Sequence, residues 1–519
     1  MTRFRTSPSP SATWLPGLLA GLLLAAACGG GAGDRPRRPT GPAIWVAPGE
    51  ARLEPADARR LSSADVDEVF LEAGRLTWQS SAPHLEAIPG AFAAVPAGTP
   101  VTLVVSGDGP AAKGFDPEAA AKSLAAAVRP LTAQAEAARL LPLGIHLDLE
   151  AADGPGLEAY AHLLAALRSA VGPGTRVSTT FHRGWLRAPE AEDLARSVDF
   201  LAAEIYGQAP GAADQAAAWD PEGVTAAVKR LEALERDYLV EAVVLGSATH
   251  LSAAAEPQET TTHARLKPLA TDPGLRLSAA DPFAGVGRVV HTFQAQRASR
   301  LEGWRVAPGE AIRVVQTSPG VVREVAQRVR EAASEHFLGL LFYRVAAPAE
   351  ALSLAPSEVA AVLGGSPPSP DLSGRLVVKS SDDDRILLGF ELRSANRQST
   401  DIAATDGNYI SLQVEGGFFD RVEPGEFSRY SLWRSGQEVR AGLGWREPDE
   451  VRLYTPMVEG GEVVRGGEVE VRPRSANPSV YLTGRFYLPD GRELELKRTG
   501  GPLADLGKSA GESGAAENQ

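Results

Sequence analysis

Cysteine is almost absent from this sequence: Cys28 is the only one in 519 residues. A lone cysteine has no intramolecular partner, so no internal disulfide staples the fold and its stability must come from burial. Hydrophobic residues make up 44% of the chain, enough for substantial cores, and the length suggests two or more domains. An excess of positive charge is also missing. The formal net charge is -13, which disfavours non-specific binding to nucleic acid. The apolar run from Trp14 to Ala27 is too short to span a bilayer. No Gly-rich phosphate fingerprint follows the first strand-like segment, and neither H-x-H nor H-E-x-x-H occurs. The expectation is therefore no nucleotide, haem or flavin cofactor and no metal site.

Arg3 and Arg5, then the apolar run, then Gly-rich polar sequence read as a secretory signal. The run ends "LLLAAAC", which resembles a bacterial lipobox, where small residues precede a cysteine that is diacylated as the signal is removed. Leu24 stands one place further out than the usual pattern. The resemblance implies lipidation at Cys28, a lipid anchor in a membrane, and a location in the bacterial cell envelope, at the outer membrane or cell surface. An ordinary signal peptide with an incidental cysteine is the alternative.

Low-complexity stretches divide the rest. Residues 29–42 read as a flexible tether, "GGSPPSPDLSG" (364–374) as a linker and 500–519 as a disordered tail. Between them lie a long segment, 43–363, and a shorter one, 375–499.

The long segment alternates strand-like and helix-like units. "AIWVA" (43–47), "DEVFLEA" (67–73), "VTLVVSG" (101–107), "GIHLDLE" (144–150), "RVSTTFH" (176–182), "VDFLAAEIYG" (198–207), "YLVEAVVLGSA" (238–248) and "FLGLLFYRVA" (337–346) read as strands. Helical patterns such as "DPEAAAKSLAAAVRPLTAQAEAA" and "GLEAYAHLLAALRSAV" separate them. Eight strands with helical crossovers predict an α/β fold, a closed (β/α)8 barrel of the TIM type, with an open doubly wound sheet as the alternative. The connection after the seventh strand is long. Its strand-like runs within 287–318 predict a small β-rich insertion at the C-terminal face, where sites in this fold are built.

"GIHLDLE" carries the chemistry. Strand side chains alternate faces, so His146, Asp148 and Glu150 project one way and Ile145, Leu147 and Leu149 the other. Carboxylates two residues apart have Cα atoms about 6.5 Å apart, close enough to couple. Ser178, Thr180 and His182 share a face of the fifth strand, and Glu204 and Tyr206 share one near the end of the sixth, so a polar wall converges from three neighbouring strands.

These residues carry a second resemblance. "LGIHLDLE" is similar to the D-x-x-D-x-D-x-E signature on the fourth strand of the chitinase-like glycoside hydrolases (family eighteen), and "VDFLAAEIYG" resembles their sixth strand, which ends M-x-Y-D. "RVSTTF" resembles their fifth, and many of them carry a small domain after the seventh. The resemblance covers about 43–363 and implies Glu150 as general acid, Asp148 as the residue orienting the substrate N-acetyl group, and Tyr206 as the tyrosine that steadies it. In that chemistry the substrate's own carbonyl is the nucleophile. The chain departs from the pattern where the outer aspartates fall on Leu143 and His146 and the sixth-strand aspartate on Gly207. The relay that tunes the central aspartate is thereby altered.

His146, His182, Glu204, Trp78, Trp185 and Tyr343 complete the candidate substrate-binding set. Each has a structural reading beside the functional one: hydrogen-bonded barrel histidines, or aromatics that pack at the rim rather than stack on sugar rings. The last segment consists of short alternating runs divided by Gly, Pro, Asn and Asp, the pattern of an antiparallel β-sandwich. It reads as a spacer or, if Tyr409, Phe418, Phe419 or Trp433 are exposed, as a carbohydrate-binding module. The expected function is hydrolysis of a glycan or glycoconjugate in the envelope. A non-catalytic glycan- or protein-binding lipoprotein is the competing class. Glu150 unpaired in an open cleft favours the first; carboxylates locked to arginine favour the second.

Overall fold

Strands apolar on both faces must be covered on both sides, and here closure covers one face and helices the other. The computed structural model describes residue 39 and residues 41–506, except 48, 50, 67, 80–81, 111–113, 151–153, 206–220, 283–288, 302, 318, 366–368, 383, 403–406, 440–446 and 490–491. The proposed signal, tether and Cys28 lie almost entirely outside the described residues. Strand β1 (Ala43–Val46) is followed around the sheet by β2 (Glu68–Gln79), β3 (Pro100–Asp108), β4 (Leu141–Glu150), β5 (Arg176–His182), β6 (Phe200–Glu204), β7 (Tyr238–Val243) and β8 (Phe337–Tyr343), all parallel. β8 pairs with β1, Ala43 opposite Leu341, and the eight-stranded barrel closes.

The crossovers follow from local sequence. Asp116 caps the helix Pro117–Ala137, accepting from the backbone N–H of Glu118 and Ala119 at 3.1 and 3.0 Å, and Pro117 fits the first turn. Its buried stripe, Ala120, Leu124, Val128, Leu131 and Ala135, packs on the outer barrel face together with Leu157, Leu163, Leu164 and Leu167 of the helix Pro155–Val171. The second crossover departs from the expected helix. β2 runs past the barrel and turns back through an antiparallel strand, Ala82–Ala87, before a short 3-10 turn at Ala91–Ala93. The polar, strand-forming "GRLTWQ" extends β2 there and no helical stripe is available.

Between β7 and the helix Pro319–Ala332 lies the β-rich insertion: a five-stranded sheet ordered Pro257–Thr261, Ser247–Leu251, Ala311–Gln316, Val289–Ala295 and Leu275–Pro282. The end of the expected seventh strand is thus the first strand of the insertion. Phe293, Trp304, Ile312 and Val314 form its core, which Ile402 and Met457 of the C-terminal region enter. That region is a sandwich of a four-stranded and a six-stranded antiparallel sheet around Leu388, Phe390, Leu412, Phe419, Leu453, Val471 and Phe486. Phe419 is core. Tyr409 and Trp433 are half-buried, with the Arg452 guanidinium 5.1 and 3.7 Å from their ring centroids, and Arg474 lies 5.1 Å from the Phe418 ring. Among the described residues no helix is long and apolar enough to cross a membrane.

Candidate functional site

Inward-facing side chains fill the barrel in layers. At the N-terminal end, Glu68 of β2, Thr102 of β3 and Arg176 of β5 are buried together. Arg176 donates to Glu68 Oε2 at 3.1 Å, to its other oxygen Oε1, and to Thr102 Oγ1 at 3.0 Å, while Thr102 donates to Glu68 at 2.6 Å. Gly144 on β4 makes room for this fork: a Cβ there would stand 2.7 Å from that of Arg176. Above them Trp45, Phe70, Val104, Phe200, Ala202, Leu239 and Leu341 form an apolar layer.

His146 sits in that layer, fully buried, with Trp45 and Phe70 edge-on at 5.5 and 5.2 Å between centroids. The sequence pattern suggested substrate contact; the structure places it below the mouth, out of contact with solvent. Its Nδ1 lies 2.9 Å from Ser178 Oγ and its Nε2 2.9 Å from Thr180 Oγ1. Burial pushes its pKa down to about 3, so the ring is neutral. The Thr180 hydroxyl also bonds Asp148. A carboxylate only accepts, so Thr180 gives its single proton to Asp148 and must accept from His146 Nε2–H. Ser178 then donates to Nδ1. The chain Ser178, His146, Thr180, Asp148 is directional and ends on the carboxylate.

Asp148 stands at the mouth. Burial raises its pKa, partly offset by Thr180 and by the charge of His182, while Glu204 and Glu72 push it up further. His182, at the end of β5, is 2.5 Å through Nδ1 from Glu204 Oε2 on β6, its opposite residue in the sheet register. Burial opposes charge on His182. The hydrogen bond and charge of Glu204, with Asp148 and Glu150, outweigh it, and the pKa is raised. Glu150 ends β4, exposed at the rim. Among the described residues no side chain hydrogen-bonds its carboxylate and no arginine pairs with it or with Asp148. Arg344, one candidate for such a lock, is engaged with Glu350 at 2.7 Å.

The remaining candidates divide. Trp78 is half-buried on the same rim: its Nε1 donates to the Asp108 carbonyl at 2.8 Å, and Asp108 is the register partner of Glu150. Tyr343 faces the mouth from β8, its ring 5.4 Å from that of Trp45, and its hydroxyl is pushed up to about 12 by burial and by the Asp148 and Glu241 charges. Trp185, expected as a sugar platform, is instead buried under the mouth, its ring 4.5 Å from His182 and 6.2 Å from Tyr160. Tyr206 and Gly207 lie outside the described residues. Two residues of the site were missed: Glu72 on β2, accepting from Ser106 Oγ on β3 at 2.7 Å, and Ser106 itself. The signal was present, since Glu68, Phe70 and Glu72 alternate as the fourth-strand trio does. Among the described residues no group of three or more His, Cys, Asp or Glu is placed to hold a metal ion. What the mouth offers is proton transfer and hydrogen bonding.

No family model and no curated protein matches the chain. Solved structures do. The spore cortex-lytic enzyme SleL of Bacillus cereus is 12% identical over 65% of this chain and 76% of that one, with a TM-score of 0.41. A chitinase from Bacteroides thetaiotaomicron is 8% identical over 59% and 90%, TM-score 0.35. The catalytic domain of a family GH18 chitinase from the fern Peteris ryukyuensis is 12% identical over 63% and 99%, TM-score 0.33.

Proposed function

We propose that this protein is a glycoside hydrolase of the bacterial cell envelope, held to a membrane by a lipid on Cys28. Glu150 is the general acid, Asp148 its electrostatic partner and Tyr206 an orienting hydrogen-bond donor. The observation that carries this reading is the pair of carboxylates in unlike settings two residues apart on β4: Asp148 half-buried with a raised pKa, Glu150 exposed at the rim. Two carboxylates in unlike settings can take different roles. The position also favours it, since sites in (β/α)8 barrels are built at the C-terminal ends of the strands.

In this mechanism a glycan lies across the mouth between Trp78 and Tyr343. Glu150 protonates the departing glycosidic oxygen, and Asp148, set by the Thr180 hydroxyl, orients the group that attacks the anomeric carbon. The resemblance noted for "LGIHLDLE" supports an N-acetyl sugar, whose carbonyl would be that group. The test is release of reducing ends from N-acetylated and non-acetylated oligosaccharides by the purified mature protein and by Glu150→Gln. Turnover lost in the variant establishes a glycosidase. Saturable binding by both forms without turnover would instead assign a glycan receptor.

A further inference from the structure

The charges of three carboxylates from two strands act on a single imidazole at the mouth. β4 lies beside β5 in the sheet, His146 opposite Ser178, which puts Asp148 and Glu150 on the strand next to His182; on β6 Glu204 takes its Nδ1–H at 2.5 Å. From the 3-10 turn Arg183–Arg187 the Trp185 ring closes on it at 4.5 Å, backed by Tyr160 of the helix behind β5. Arg183 follows it on its own segment. Ring and carboxylate together fix the imidazole in one orientation, so its charge is held in place rather than swept about by a flexible side chain.

Resting on the hydrolase reading, we infer that His182 is a positioning residue for the Asp148–Glu150 pair: its imidazolium, fixed by Glu204 and Trp185, keeps Asp148 ionised, and the site is competent only while that proton is held. Asp148 otherwise faces burial, Glu204 and Glu72, all of which favour the neutral acid. Thr180 hydrogen-bonds it from below, through the neutral His146 chain. A cation beside it is the element that lets a half-buried aspartate remain an anion. Raised as His182 is, its charge is present at acidic pH and lost as pH rises through its shifted value, so activity falls on the alkaline side.

The test follows the imidazole itself by NMR in the histidine-labelled mature protein, assigned through His182→Gln. Both Asp148→Asn and Glu204→Gln should lower the titration midpoint of His182, and the alkaline limb of kcat/KM should move down with Glu204→Gln. His182→Gln should lose at least tenfold in kcat/KM, whereas His182→Lys, which keeps a positive charge, should recover part of it and extend activity to higher pH. A midpoint that Asp148→Asn leaves unmoved in a folded protein overturns the inference whatever the chain does with glycans. A midpoint that moves, in a protein that turns over no glycan, upholds the coupling and sinks the hydrolase reading instead.

Discussion

The two ends of the barrel place acidic side chains on the same inward-facing rows and use them in opposite ways. At the N-terminal end Glu68 meets Arg176 in a two-pronged pair that Thr102 completes, all three buried. At the C-terminal end the charges of Asp148, Glu150 and Glu204 act on one histidine, that of Glu72 acts on Asp148, and Glu150 is exposed at the rim. A buried charge left without a partner is costly, and at the closed end Glu68 and Arg176 neutralise each other, although Arg176 Nε has no hydrogen-bond partner among the described residues. At the mouth the surroundings raise the pKa of both Asp148 and His182, the kind of perturbation that clusters at functional sites.

That contrast is open to breaking at either end. The largest effect is expected at the rim: Glu150→Gln should reduce glycan turnover by about a thousandfold while thermal melting stays near wild type, because the side chain is exposed. Arg176→Met should do the reverse. It strands Glu68 in the interior and should cost about 3–5 kcal/mol in urea unfolding, and adding Glu68→Leu should restore most of that loss. A smaller effect separates the layers by pH. His146 titrates near 3 when folded, pushed down by burial, so the unfolded chain binds its proton first as pH falls below the ordinary histidine value. Its contribution is intact above that value and is lost toward acid at up to about 1.4 kcal/mol per pH unit. Comparing denaturation of the wild type and His146→Gln from neutral to acid should reveal this slope only in the wild type. The smallest is Asp148→Asn. Burial raises the folded pKa of Asp148, so its anion destabilises at neutral pH, and the variant should be more stable there by on the order of 1 kcal/mol. The gain should vanish in acid, where Asp148 is protonated in both states.

Much of this was legible in the strands. The alternation in "GIHLDLE" puts His146 and Asp148 inside, and the same period in "RVSTTFH" puts Ser178, Thr180 and His182 on the facing row. The helix Pro117–Ala137 was visible from its helical pattern. The β2 hairpin was not, because the segment after Gly74 satisfies a strand pattern whether it continues the barrel or folds back on itself. Nor was the fate of Trp185: a tryptophan just past a strand end reads alike as a rim platform or as packing, and only the depth of the 3-10 turn buried it.

Spacing along the chain dictates which side chains share a face, where the helices begin, and that eight strands alternate with their crossovers. These are local properties of backbone geometry and spacing, readable a few residues at a time. Which charges meet was decided only by the tertiary structure. Glu68 and Arg176 stand 108 residues apart and His182 and Glu204 stand 22 apart. Barrel closure and sheet register bring them within bonding distance. Desolvation and Coulomb interaction depend on depth and separation in space, so one acidic residue type is a buried ion-pair partner at the floor of the barrel and an exposed or half-buried group at its mouth.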